Sequence, residues 1–128
     1  SSIDGELLVR DPIATQETSL LCVGEVPQNS CVYLLKGKPE SLIESAGEAV
    51  NTAIGSFSTN KDASVAIIFD CISRSLFLGD NFSQELEIIE SRLPENCESF
   101  GALTLGEICT SPSGPITLLN KSTVIAVL

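Results

Sequence analysis

The stretch that most constrains this chain is Ala63 to Gly79, ASVAIIFDCISRSLFLG. It opens with an apolar run, Val65 to Phe69, rich in β-branched and aromatic residues. Such a run suits a strand buried on both faces of a sheet. The character then changes abruptly to Asp70, Cys71, Ile72, Ser73 and Arg74. A central strand that ends in polar, reactive side chains and turns into a helix is a common place for a ligand site. A thiol, a hydroxyl and a guanidinium arrive there together. The rest of the chain reads as strands and helices that support that corner.

The chain has 128 residues, which fits a single domain over residues 1–128. Hydrophobic residues make up 43 %, enough for a real core. The longest apolar run is far below the ~20 residues of a spanning helix, and no signal peptide is visible. A soluble, cytoplasmic domain is the expectation. The chain lacks Met and begins SSIDGELLV, so it reads as a domain cut from a longer protein. Its net charge of −10 argues against nucleic acid and against anionic membrane surfaces. The plain use of that charge is solubility.

The five cysteines are Cys22, Cys31, Cys71, Cys97 and Cys109, none in a C-x-x-C pair, and the chain has no His. Closely spaced Cys pairs are the usual mark of a thiolate zinc site. No metal or other cofactor is therefore expected. Without His, the usual Ser-His and Cys-His nucleophile arrangements are also absent. The cysteines read as reduced, mostly buried thiols.

Taken in order, Gly5 to Val9, Thr18 to Gly24 and Cys31 to Leu35 read as three short strands in an antiparallel meander. Pro39 suits the first position of a helix. Leu42, Ala46, Ala49, Val50, Ala53 and Phe57 follow at helical spacing, which predicts an amphipathic helix from Pro39 to Phe57. Ser58 to Asp62 reads as a loop before the central strand. Ile72 to Phe77 suits one or two helical turns ahead of Gly79. A further helix, capped by Asp80 or Asn81, buries Phe82, Leu86, Ile89 and Leu93 and turns Glu85, Glu87 and Glu90 outward. Ser99 to Cys109 reads as one strand. Thr110 to Pro115 is a turn into a last strand, Ile116 to Leu128, interrupted near Asn120 and Lys121. The order β-β-β-α-β-α-β-β predicts an α+β fold: a mostly antiparallel sheet of about six strands with two main helices on one face.

Four positions could carry chemistry. Cys71 sits where strand gives way to helix, a setting that activates thiols and binds anions. Arg74 follows three residues on and is suited to gripping a carboxylate with two parallel hydrogen bonds. The plainer alternative is a buried thiol with Arg74 paired to Asp70 or Glu107. Glu107 shares a strand face with Leu103 and Leu105, where an unpaired charge is costly. It must meet a cation, face a cavity, or be turned outward by a bulge at Gly106. Asn120 interrupts an apolar strand and suits a turn, or else a ligand contact.

At these residues the sequence resembles the C-terminal half of the FIST sensory domain. The matching stretches are IIFDCISRSLFLG with NFSQELEII, then FGALTLGEI, then LLNKSTVIAVL. Their order and spacing match the family pattern of a "sCxxR…lG" segment, a "Gf…GEi" segment and a terminal "hN.T" strand. LLVRDPI and the Pro39 helix fit more weakly, and the resemblance covers nearly the whole chain. It implies a non-catalytic sensory module of a signal-transduction protein, binding a small molecule such as an amino acid or other small carboxylate. It also implies two partners in the parent protein, a FIST N-terminal half and a signalling output domain. Carried over by position, Cys71, Arg74, Gly101, Gly106, Glu107 and Asn120 match the motif residues. The family often has His before the motif Asn, and here that position is Leu119. The ligand-binding set implied is Cys71, Arg74, Gly106, Glu107 and Asn120. The alternative is a protein-interaction module whose acidic helices meet a basic partner.

Overall fold

The computed structural model describes residues 2–3, 6–57, 63–110, 114 and 116–128. The first elements are two small antiparallel ribbons. β1 (Ser2–Ile3) pairs with β2 (Glu6–Leu7), and β3 (Pro12–Gln16) pairs with β4 (Ser19–Cys22). Pro12 begins β3. A proline is tolerated at a strand's first residue because the missing N–H breaks no interior ladder bond. Glu17, with φ of 50°, makes the tight turn between β3 and β4.

The expected third strand does not form: residues 31–35 are irregular, and Val32, Tyr33, Leu34 and Leu35 are all exposed. Their composition favours a strand, but a strand needs a neighbour to satisfy its backbone. Among the described residues none lies beside this stretch in a ladder.

Helix α1 (Pro39–Ser56) begins at its proline, and Ala46, Gly47 and Val50 are its buried residues. The loop expected at Ser58 to Asp62 lies outside the described residues. Next comes β5 (Val65–Cys71), then α2 (Ile72–Leu78), a single 3₁₀ turn at Gly79–Asn81, and α3 (Phe82–Arg92). The chain returns as β6 (Glu98–Thr104), breaks at Leu105 and Gly106, and goes on as β7 (Glu107–Thr110), β8 (Ile116–Leu119) and β9 (Thr123–Val127). Most of the expected Thr110 to Pro115 turn lies outside the described residues, but β7 and β8 do pair as antiparallel neighbours. The interruption of the last strand falls at Asn120 to Ser122, where Lys121 takes a left-handed backbone (φ 56°).

One sheet of about six mostly antiparallel strands is therefore not what the structure shows. Among the described residues the fold is α+β, with a three-stranded sheet in the order β6-β5-β9 and three separate two-stranded ribbons. β5 lies parallel to β6 and antiparallel to β9. The parallel pairing follows from the α2 and α3 crossover, because parallel neighbours need a long connection. The stretch read as a single strand from Ser99 to Cys109 is divided between the sheet and the β7–β8 ribbon.

Register assigns the faces. Ile68 of β5 stands opposite Gly101 of β6 and Ile125 of β9, so these residues share one side. That side carries the core: Ala46 and Val50 of α1, Ile89 of α3, and around them Ile54, Ile68, Leu93 and Ile125. Arg92 fastens the two helices, donating to Glu44 Oε1 at 2.6 Å and Glu48 Oε1 at 2.8 Å. The opposite side is open, and Phe69 and Phe100 are 44 % and 59 % exposed there. β5 is thus central but buried on one face only. Among the described residues, no helix is long and apolar enough to cross a membrane.

Gly101 is the tightest point of the sheet. A Cβ built on it would lie 2.1 Å from the carbonyl oxygen of Ile68, backbone that cannot move aside. Gly101→Ala is therefore expected to destabilise the chain by about 2 kcal/mol or more, the scale of an overpacked core. Urea unfolding checks this: an unchanged midpoint would show that the β5–β6 spacing relaxes freely.

Candidate functional site

Helix α2 turns Arg74 inward, where it is 3 % exposed and every nitrogen has a partner. Nε donates to Glu85 Oε1 at 3.1 Å, and Nη2 donates to Glu85 Oε2 at 2.5 Å. Nη2 also donates to the Leu42 carbonyl of α1 at 2.7 Å, and Nη1 to the Lys121 carbonyl at 3.2 Å. Asp70 Oδ1 lies 3.4 Å from Nε. The guanidinium thus joins α1, α2, α3, β5 and the β8–β9 loop. Its bidentate partner is Glu85, which was expected on the outer face of α3 and is fully buried instead. Leu86, expected in the buried stripe, is 44 % exposed. The helix is rotated so that its carboxylate meets Arg74, an attraction that apolar periodicity does not register.

Glu107 is also buried, but not against Arg74. Its Oε1 accepts from Thr104 Oγ1 at 2.6 Å, and its Oε2 accepts from Ser122 Oγ at 2.7 Å. Thr104 is the register partner of Cys71, and the Cys71 N–H donates to the Ser122 carbonyl at 3.1 Å. Glu107 therefore pins the end of β6 to the β8–β9 loop, beside Cys71. The thiol of Cys71 is buried, 3.2 Å from Ser73 Oγ. Cys31 is exposed, and Cys22 and Cys97 are half-buried, so burial of the thiols is less general than expected. Asn120 is buried, with Nδ2 donating to the Leu119 carbonyl at 2.9 Å and Oδ1 lacking a partner. Gly106 lies beside it: a Cβ there would be 3.0 Å from Leu118 Cδ1 and 3.7 Å from Asn120 Nδ2. Cys71, Gly106, Glu107 and Asn120 thus gather at one corner, and Arg74 reaches it only through the Lys121 carbonyl.

A cavity of about 290 Å³ opens on the helix-covered side, between α3 and the edge strand β6. Its lining is mainly apolar, with Ile68, Phe82, Leu86, Ile89 and Leu103 prominent. Two carboxylates line it, Asp70 and Glu90. Asp70 is 3 % exposed, and its Oδ1 accepts from Thr123 Oγ1 at 3.0 Å while its Oδ2 has no hydrogen-bond partner among the described residues. Burial, and next the charge of Glu85, push its carboxyl up to about 7, against the Thr123 hydrogen bond and the Arg74 charge. Asp70 stood in the sequence as the residue before Cys71. Its role depends on a cavity that sequence spacing does not reveal. Among the described residues, no group of three or more His, Cys, Asp or Glu is arranged to hold a metal.

Two outcomes follow from this geometry. Arg74→Ala leaves two buried carboxylates facing each other and is expected to cost about 3–5 kcal/mol in urea unfolding. A loss below about 1 kcal/mol would mean the cluster is hydrated and weak. For Asp70, the native state holds its proton more tightly than the unfolded chain does. Its share of stability is full below the ordinary carboxyl pKa of 3.8 and is lost as pH rises toward about 7. Asp70→Asn should flatten the fall in stability across that window. Parallel slopes for the two proteins would show that Asp70 titrates normally.

Comparison with curated proteins and with solved structures finds no match for either. Residues 1–110 match the family described as the FIST C domain. That match spans most of the chain and includes β5, Arg74, the α3 carboxylate and Glu107, and on it the chain belongs to the FIST C domain family.

Proposed function

We propose that this chain is a non-catalytic sensory domain that binds a small molecule, of the size of an amino acid or other small carboxylate. FIST C domains are associated with sensory signal-transduction proteins. The observation that carries the ligand-binding part is the cavity between α3 and β6, an apolar recess with the buried Asp70 in its wall. Small-molecule sites have this make-up: apolar walls and a few placed polar groups, in volumes from about 300 Å³ upward. Four of the five Arg74 N–H donors are engaged, two of them by Glu85, so in this reading it positions Asp70 and Glu85. Cys71, Gly106, Glu107 and Asn120 shape the corner at the other side of the strand end. The domain is proposed to be cytoplasmic, with a FIST N-terminal half and a signalling output domain of the parent protein as its partners.

A second reading has its own observation. The open side of the sheet exposes Phe69 and Phe100, and such a face suits a protein partner. Reversal of the α3 carboxylates, the natural test of an acidic docking helix, must spare Glu85, whose burial makes it part of the core.

A thermal-shift screen of the 128-residue chain against amino acids, amines and small carboxylates tests the sensory reading. A ligand that binds only the native state raises the melting temperature. At least one compound should do so, and Leu103→Trp, at the cavity mouth, should abolish the shift. If no compound shifts melting, or Leu103→Trp leaves every shift intact, the cavity is not a sensing site and the interaction module is the better account.

A further inference from the structure

Asp70, Glu85 and Arg74 are two carboxylates and one guanidinium, all buried. With all three ionised, the cluster carries one uncompensated negative charge. Among the described residues, nothing packed against it supplies a second cation. Thr123 of β9 offers a hydroxyl to Asp70, and α1 and the β8–β9 loop offer carbonyls to Arg74. The deficit falls on Asp70, whose Oδ2 has no partner, while both Glu85 oxygens are held by Arg74. Asp70 also lines the cavity, and the other ionisable group in that lining, Glu90 of α3, is acidic as well. β6 contributes only Ser99, Phe100, Gly101, Ala102 and Leu103 to it.

An uncompensated buried charge is costly, and a cation brought through the cavity relieves it. We infer that the cavity takes a cationic amine with a compact apolar body, its ammonium against Asp70 and its body among Phe82, Leu86 and Leu103. This rests on the sensory reading above and narrows it. A ligand whose only charge is a carboxylate would add a third anion beside Asp70 and Glu90.

In the absence of ligand, a proton fills the same role. Asp70 is pushed up to about 7, chiefly by burial and by Glu85, so proton and ammonium compete for the same negative charge. The amine itself stays protonated throughout this range. Binding should therefore tighten as the pH rises through neutrality, with a proton released to the buffer.

Isothermal titration calorimetry on the 128-residue chain, with phenethylamine against 3-phenylpropionate and hexylamine against hexanoate, tests this. The amines should bind and the carboxylates should not. Amine affinity should be about tenfold higher near pH 8 than near pH 6, the ratio expected for competition with one proton. Asp70→Asn should weaken it by about tenfold or more, the scale of a lost buried charge partner. Leu86→Lys, at a half-exposed position on the cavity wall, should weaken amine binding without unfolding the chain. Carboxylates that bind as well as amines would overturn the inference and leave the sensory reading standing. Amine binding that ignores both pH and Leu86→Lys would do the same. If Asp70→Asn does not fold, the matched probes and Leu86→Lys decide. A wider screen in which nothing binds would remove the sensory reading itself.

Discussion

The fold depends on how one buried guanidinium is satisfied. Arg74 lies on a helix of only seven residues, yet its hydrogen bonds reach α1, α3 and the β8–β9 loop, and its charge reaches β5. A buried Arg nitrogen without a partner would be a liability, and each of the three here has one. These elements must therefore arrive in one arrangement. The apolar core beside it is small, centred on Ala46, Val50 and Ile89. Those side chains would tolerate several packings, so the directional demands of Arg74 and Glu85 add the specificity that a core of small residues lacks.

The crossover explains where the cluster sits. Because β5 and β6 run parallel, the chain between them must travel back along the sheet, and α2 and α3 make that journey. Arg74 leaves from the carboxyl end of β5, and Glu85 returns over it at the start of α3. The crevice at the carboxyl ends of parallel strands is a habitual location for sites in such units. Here that end holds the cluster at one side and the Cys71–Glu107 corner at the other. The cavity lies alongside, where β6 forms the sheet edge.

Elements set by local pattern were legible in the sequence. The helix beginning at Pro39, the short helix before Gly79, the strand ending at Cys71 and the break near Asn120 all fall where composition places them. Pairing was less legible, since β composition does not say which strand lies beside which. Residues 31–35 show this well: they have strand character and no ladder. The break at Leu105 and Gly106 was hidden for a related reason, because apolar residues continue through it. Glu85 shows why the site itself was only half readable. A glutamate three residues into an acidic helix reads as solvent-facing, and only the position of Arg74, fixed by tertiary structure, shows otherwise. Arg74 was read as a grip for a carboxylate, and Glu107 as meeting a cation, facing a cavity or turning outward; both are buried, and their partners, Glu85 for one and two hydroxyls for the other, come from segments that spacing could not align.

The alternation of a strand gives this arrangement a further consequence. Asp70 and Cys71 are neighbours in β5, so their side chains point to opposite faces. The charge cluster therefore lies under the helices, and the Glu107 corner lies at the other side. The segment between Asn120 and Thr123 meets both. Arg74 holds the Lys121 carbonyl, and Thr123 holds Asp70. Between them, Ser122 donates to Glu107 and accepts from the Cys71 N–H. Lys121 sits there with a left-handed backbone, a conformation a non-glycine residue keeps only where its surroundings impose it. A change of charge at Asp70 alters what Arg74 must balance, and Arg74 grips this loop directly. The loop in turn carries Ser122, half of the hydrogen bonding that anchors Glu107 and the β7–β8 ribbon. A chain of contacts thus runs from the cavity wall, through one guanidinium and the loop residues Lys121 and Ser122, to the far face of the sheet. Under the sensory reading proposed above, that connection is what carries binding at the cavity to the opposite face.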